Sequence, residues 1–190
     1  MSLEDDLERV LYRAADIESA VRRIAGEVTR HYDGRPLTVV AVLKGSLHFA
    51  SDLVRCVPLP LEIAFAGVSS YGDGDRSGEV GIEFLPAERE LAGRDVLLVD
   101  DILDTGKTLS RLRRELLARG ARDVRTCVLL DKPSRRETGR AADFVGFEIE
   151  DRFVVGYGLD FAGRYRNLPL VGVLRPGILE APRRAARAGS

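Results

Sequence analysis

Val96-Leu97-Leu98-Val99-Asp100-Asp101-Ile102-Leu103-Asp104-Thr105-Gly106-Lys107-Thr108 is the stretch that decides the fold of this 190-residue chain. Val96 to Val99 is an unbroken apolar run, the pattern of a strand buried on both faces, as strands of a parallel sheet are. It stops at two adjacent carboxylates, Asp100 and Asp101, and a third follows at Asp104. Beyond Gly106, Leu109, Leu112, Leu116 and Leu117 recur at helical spacing. The segment therefore reads strand, loop, helix. Its loop lies at the amino end of the helix, where free backbone N–H groups and the helix dipole favour an anion. The small or hydroxylated residues Thr105, Gly106 and Thr108 let a phosphate approach the backbone closely.

Gly106-Lys107-Thr108 looks like the end of the nucleotide-binding pattern G-x-x-x-x-G-K-[ST], whose first glycine would fall on Asp101. The match fails there, and three carboxylates beside a triphosphate would repel it. Asp100 and Asp101 make better acceptors for a diol, with Thr105 to Thr108 holding a single phosphate further along. A ribose 5-phosphate has that layout.

Working outward, Ile17, Ala20, Val21, Ile24, Ala25 and Val28 mark an amphipathic helix with Asp16 as its expected N-cap. Gly34-Arg35-Pro36 ends it, and Leu37 to Leu43 reads as a second buried strand. Lys44-Gly45-Ser46 then turns into a helix carrying Leu47, Ala50, Leu53 and Val54, a second strand-loop-helix unit. Further strands are expected at Leu61 to Ser69, Val80 to Leu85, Val124 to Leu130, Phe144 to Glu148, Val154 to Tyr157 and Val171 to Leu174. Gly120 is the expected cap after the helix of the opening stretch. Alternating strands and helices predict an α/β fold with a mostly parallel central sheet flanked by helices. The glycine-rich, charged insert between the strands ending near Ser69 and starting at Val80 is expected to be mobile.

The bulk properties fit a compact enzyme. With 29 basic and 30 acidic residues there is no global positive field for nucleic acid or an anionic membrane. Cys56 and Cys127 are far apart and lack metal-ligand spacing, which reads as two reduced structural thiols. Only two histidines are present, against a histidine-rich metal site or a Ser-His-Asp triad. No leader-like start or membrane-length apolar run is visible, so a cytoplasmic location is expected. One domain is expected over residues 1–180, followed by a frayed basic tail over 181–190.

The opening run resembles the phosphoribosyl-diphosphate (PRPP) motif of the type I phosphoribosyltransferases. Other motifs follow in order: Leu43-Lys44-Gly45-Ser46, Ser69-Ser70-Tyr71-Gly72, Leu129 to Pro133, Phe153 to Asp160 and Tyr165 to Pro169. Together they resemble the hypoxanthine and hypoxanthine-guanine phosphoribosyltransferases from about Leu37 to Leu174. That resemblance implies the type I fold with a small hood and a flexible hairpin lid. It also implies a reaction: PRPP and a 6-oxopurine, hypoxanthine or guanine, give IMP or GMP and pyrophosphate with Mg2+, in a homodimer or homotetramer.

The resemblance also assigns roles. Asp101, Asp104, Thr105, Gly106, Lys107 and Thr108 match the 5′-phosphate cradle, and Asp100 with Asp101 the acidic pair at the ribose hydroxyls. Relatives often carry Glu at the first of these, so the shorter Asp100 leaves room for a bridging water. Asp104 matches the general acid/base facing N7 of the purine, where a carboxylate suits a base that loses a proton. Lys44 and Gly45 match the pyrophosphate loop, whose Leu-Lys peptide can be cis, and Arg166 matches the pyrophosphate-binding arginine. Lys132 would donate to the C6 oxygen, Phe153 would stack on the ring, the Val154 backbone would read its edge, and Asp160 would sit near base and metal. Asp100, Asp101 and Asp160 are thus the implied metal carboxylates. Ser70 and Tyr71 belong to the lid. The competing class, a nucleotide-sensing or RNA-binding regulator that keeps the PRPP loop, is disfavoured by neutral charge and by Lys132, Phe153 and Asp160.

Overall fold

A computed structural model describes residues 3–70 and 80–179. Six strands form one sheet in the order β4-β3-β2-β5-β6-β7: β2 (Leu37–Leu43), β3 (Leu61–Ser70), β4 (Val80–Phe84), β5 (Asp95–Leu103), β6 (Asp123–Asp131) and β7 (Phe144–Glu148). All neighbours are parallel except the edge pair β3 and β4. The opening stretch is thus a central strand, β5, flanked by β2 and β6.

Burial on both faces explains the uninterrupted apolar runs. Val39, Leu97, Val99, Cys127 and Leu129 point toward α1 (Ala14–Tyr32) and α2 (Leu47–Cys56). Val40, Val42, Val96, Leu98 and Val128 point toward α3 (Glu88–Leu91) and α4 (Lys107–Ala118). Each fully buried Val or Leu contributes roughly 1.5–3 kcal/mol relative to an exposed one, so strand alternation fixes register firmly.

The N-terminus of α1 departs from the expectation. Arg13 occupies the cap, and Asp16 is the third helical residue, its carboxylate accepting the Arg13 N–H at 2.9 Å. Asp16 still satisfies an end group and favours the helix dipole, from inside the first turn. Gly120, by contrast, follows α4 with φ +91° and donates its N–H to the Leu117 carbonyl at 3.1 Å.

A second, antiparallel sheet forms the hood: β1 (Leu7–Tyr12), β9 (Val171–Leu174) and β8 (Val154–Val155), in the order β1-β9-β8. Strand β1 lies outside the expected set, and β8 is shorter than the expected Val154 to Tyr157. Leu7, Val155, Tyr165, Leu168, Leu170 and Leu174 make a separate small core there. Tyr165 is buried and donates its hydroxyl to Asp6 at 2.7 Å, tying the two ends of the hood together. The tail at 181–190, Tyr71 and the rest of the insert lie outside the described residues.

Candidate active site

The connection after β2 leads to β3 on one side, while β5 lies on the other side of β2. Ligands of open parallel sheets bind where strand order reverses in this way, at the carboxyl ends of the strands. The loops after β2 and β5 meet there. The Leu43-Lys44 peptide is cis, and the buried Ser46 hydroxyl donates to the Val42 carbonyl at 2.6 Å, holding the turn into α2. A side chain at position 45 would place its Cβ 1.8 Å from Asp101 Oδ2, so glycine lets the two loops touch with the Asp101 carboxylate where it is. The hood closes on the same point: a Cβ at Gly158 would lie 1.9 Å from the Gly45 carbonyl oxygen.

Asp100 is buried and accepts the Asp101 N–H at 3.0 Å. Burial first, and the adjacent Asp101 charge second, push its carboxyl well above the usual range. Burial raises Asp101 as well. Two such groups favour a partner that brings hydrogen-bond donors or positive charge. Gly106 precedes α4 with φ +85°, a left-handed conformation that favours glycine, and a Cβ there would meet Thr138 Oγ1. The Thr105 carbonyl accepts N–H groups of Glu137 and Thr138 at 3.0 and 3.2 Å, bracing the loop from behind.

A cleft of about 360 Å³ lies between these segments. Asp100, Asp101, Asp104, Thr105, Gly106 and Thr108 line it from the β5–α4 loop, Lys44 and Gly45 from the β2–α2 loop, and Asp160 and Arg166 from the hood. Arg166 pairs with Asp160 at 2.6 Å and donates to the Gly158 carbonyl at 2.5 Å, while Asp160 also accepts the Gly163 N–H at 2.8 Å. Val68 and Ser69, at the end of β3, also line the wall; Ser69 opens the Ser69-Ser70-Tyr71-Gly72 motif, whereas Val68 was not singled out from sequence.

Lys107, Lys132, Phe153 and Val154, among the expected site residues, stand outside that lining. The Lys107 ammonium pairs with Glu137 at 2.6 Å, which leaves its backbone rather than its charge at the loop. Lys132, buried at the end of β6, donates its backbone N–H to the Leu103 carbonyl at 2.9 Å, beside the lining. Val154 is buried in β8, and Phe153 before it is 43% exposed with its ring edge-on to Phe161 at 5.5 Å. An exposed aromatic ring offers a face suited to stacking on a flat, partly polar ring. Ser70 closes β3 opposite Val80, at the root of the insert.

Two further charged residues escaped the sequence reading. Arg135 Nε donates to Asp104 Oδ1 at 3.0 Å, and Asp151 lies near both Lys132 and Arg135. Their partners lie well beyond one helical turn or hairpin in sequence, so no local pattern announces them.

Among the described residues no group of three or more Asp, Glu, His or Cys could enclose a metal ion. The carboxylates at hand, Asp100, Asp101 and Asp160, are hard oxygen donors. That donor set fits Mg2+, which takes one or two carboxylates and fills its shell with water and substrate phosphates.

Comparison with known proteins agrees with this geometry. The family model described as a phosphoribosyl transferase domain matches residues 10–162. A hypoxanthine-guanine phosphoribosyltransferase of Bacillus subtilis is 44% identical over 180 residues, 94% of this chain and 99% of the relative. The crystal structure of a hypoxanthine phosphoribosyltransferase from Staphylococcus aureus superposes with a TM-score of 0.86 at 41% identity, over 93% of this chain and 96% of the other. That of Trypanosoma cruzi gives 0.87 at 35% identity, over 97% and 100%.

Proposed function

The chain belongs to the phosphoribosyltransferase family, and from that membership we propose that it transfers the 5-phosphoribosyl group of PRPP to N9 of hypoxanthine or guanine. The products are IMP or GMP and pyrophosphate, which makes it a purine salvage enzyme. The observation that carries the residue-level reading is the single cleft at the strand-order reversal, shared by the β5–α4 loop, the β2–α2 loop and the hood.

In this reading the Thr105 to Thr108 loop holds the 5′-phosphate, and Asp100 and Asp101 accept the ribose hydroxyls. Lys44, the Gly45 backbone and Arg166 receive the pyrophosphate. As N9 bonds to C1′, the C1′–oxygen bond to pyrophosphate breaks, its electron pair leaves with pyrophosphate, and the purine proton passes to Asp104. Phe153 stacks on the ring, Lys132 donates to the C6 oxygen, and the Val154 backbone reads the edge. Mg2+, held by Asp160 with Asp100 or Asp101 and by the substrate's own oxygens, would supply charge neutralisation of the pyrophosphate. Ser70 and Tyr71 would serve a lid that excludes water from an oxocarbenium-like transition state.

The proposal takes residues 1–180 as one domain and the enzyme as a homodimer or homotetramer. Ile63 and Phe65 on β3 and Phe84 on its neighbour, the edge strand β4, are large apolar residues exposed to solvent and support self-association. No helix among the described residues is long and apolar enough to cross a membrane.

A buried donor aimed at C6 rejects adenine, whose amino group leaves the lysine unpaired. A spectrophotometric assay with PRPP, Mg2+ and each of hypoxanthine, guanine, xanthine and adenine tests the reading. Turnover of hypoxanthine or guanine with adenine at least ~100-fold poorer is expected; comparable turnover of adenine contradicts it.

A further inference from the structure

Arg135 stands between two groups to which the proposed function gives separate tasks. Its Nε is 3.0 Å from Asp104 Oδ1 and 3.8 Å from Asp151 Oδ1, and Lys132 Nζ is 3.6 Å from that same Asp151 oxygen. The order Lys132, Asp151, Arg135, Asp104 is a chain of alternating charge from the purine-reading lysine to the acid/base carboxylate. Local structure builds it. Pro133–Arg135 is one 3-10 turn, and Arg135 N–H bonds the Lys132 carbonyl at 3.0 Å, which returns residue 135 over the β5–α4 loop.

Folding stability does not account for this chain. The side chains of Asp104, Arg135 and Asp151 are 39%, 48% and 53% exposed, and ion pairs that wet contribute little to stability. Only Lys132 is buried, at 8%. Asp104 also shares its cleft with two other carboxylates, Asp100 and Asp101, so a cation beside it has a local electrostatic purpose.

We propose that Arg135 is a positioning residue for Asp104, and that Asp151 couples it to Lys132 so that arrival of the 6-oxopurine frees Asp104 to take the proton. The proposal rests on the functional reading above. Before the base binds, Arg135 fixes the Asp104 carboxylate by a charge-assisted bond from its Nε. When Lys132 donates to the C6 oxygen, it withdraws from Asp151 Oδ1. That oxygen then takes a larger share of the Arg135 charge, which loosens without breaking the bond that orients Asp104. An Asp104 lone pair becomes available, and the purine N–H proton transfers to it while N9 bonds to C1′ and pyrophosphate departs with its electron pair. Proton acceptance becomes contingent on the presence of a base with an acceptor at C6.

The test uses the full chain with Arg135→Ala, Arg135→Lys, Asp151→Asn and the Arg135→Ala/Asp151→Asn pair, in steady-state assays with hypoxanthine and PRPP. Misplacing a reacting group is costly, so Arg135→Ala should lower kcat by about 10- to 100-fold. The KM for PRPP should stay within about threefold and the melting midpoint unchanged, because the pair is exposed. Arg135→Lys should recover part of kcat, since it restores the charge but not the planar fork. Asp151→Asn should lower kcat in the wild-type background and much less in Arg135→Ala, the non-additivity expected of one network. Wild-type kcat in Arg135→Ala, a loss that tracks melting or PRPP affinity, or strict additivity of the two changes overturns the proposal. A wild-type protein that turns over no 6-oxopurine defeats the functional reading instead.

Discussion

The β5–α4 unit and the hood are two halves of one site built in opposite ways. In the first, Asp100 to Thr108 are contiguous, and strand, loop and helix fix each other's direction within thirteen residues. In the second, β1 from the start of the chain pairs with β9 near its end, Leu7 against Leu174, and Tyr165 reaches back to Asp6. Arg166, Asp160 and Phe153 hang on that distant pairing. In the proposed function the contrast is a division of labour: the contiguous half meets the phosphoribosyl group, and the assembled half, with the end of β6, carries the purine-facing residues beside Arg166 at the pyrophosphate.

Asp104→Asn should give the largest effect, because the substitution keeps the shape of the contiguous half and removes only its proton acceptor. A loss of roughly 10²- to 10⁴-fold in kcat is expected, with PRPP binding retained, as measured by single-turnover kinetics and equilibrium binding. Loss of PRPP affinity in step with kcat would show that Asp104 holds the substrate rather than moves a proton.

How much was legible from sequence follows the same line. The parallel sheet, α1, α2, α4 and the loops after β2 and β5 could be read because apolar periodicity and glycine position are local signals. Strand β1 could not, because six residues with mixed exposure pair with a segment more than 150 residues away. Lys132, Phe153 and Asp160 were found only through family motifs; nothing in their own neighbourhoods sets them apart from a surface lysine, a core aromatic and a loop acid. Arg135 and Asp151 belong to no such motif, and their meaning emerges only from distances to Asp104 and Lys132.

The seam between the halves can be broken next. Gly158 has φ +103° and faces the Gly45 carbonyl, whereas Gly93, with φ +71°, has no atom within 4 Å of an added Cβ. Gly93→Ala should cost only the backbone strain, about 1 kcal/mol, and Gly158→Ala the strain plus a clash, about 3 kcal/mol or more. Urea unfolding compares the two, and the KM for PRPP should rise in Gly158→Ala alone. Equal stability of the two variants would mean that the hood does not press on the pyrophosphate loop.

A smaller effect tests the far end of the core. The buried Asp95 carboxylate is held below its usual range by the Arg122 hydrogen bond, with the Arg122 and Arg35 charges adding to it against the cost of burial. A depressed folded-state pKa stabilises above the unfolded value near ~3.9, and that stability is lost as pH falls through the folded pKa. Asp95→Asn should therefore be less stable than wild type by on the order of 1 kcal/mol at pH 7, with the gap closing below pH ~4. A gap that does not change with pH would remove the ion pairs as its source.

The division of labour itself is tested most directly by Phe153→Ala, because Phe153 is exposed and its truncation leaves the hood core intact. The measurement is the KM of hypoxanthine and of PRPP in the same preparation. Loss of ring stacking, worth ~1–3 kcal/mol per base, should raise the hypoxanthine KM by at least about fivefold while the PRPP KM stays within twofold. Equal rises for both substrates, or none for hypoxanthine, would contradict a site whose contiguous half binds the phosphoribosyl group and whose assembled half binds the purine.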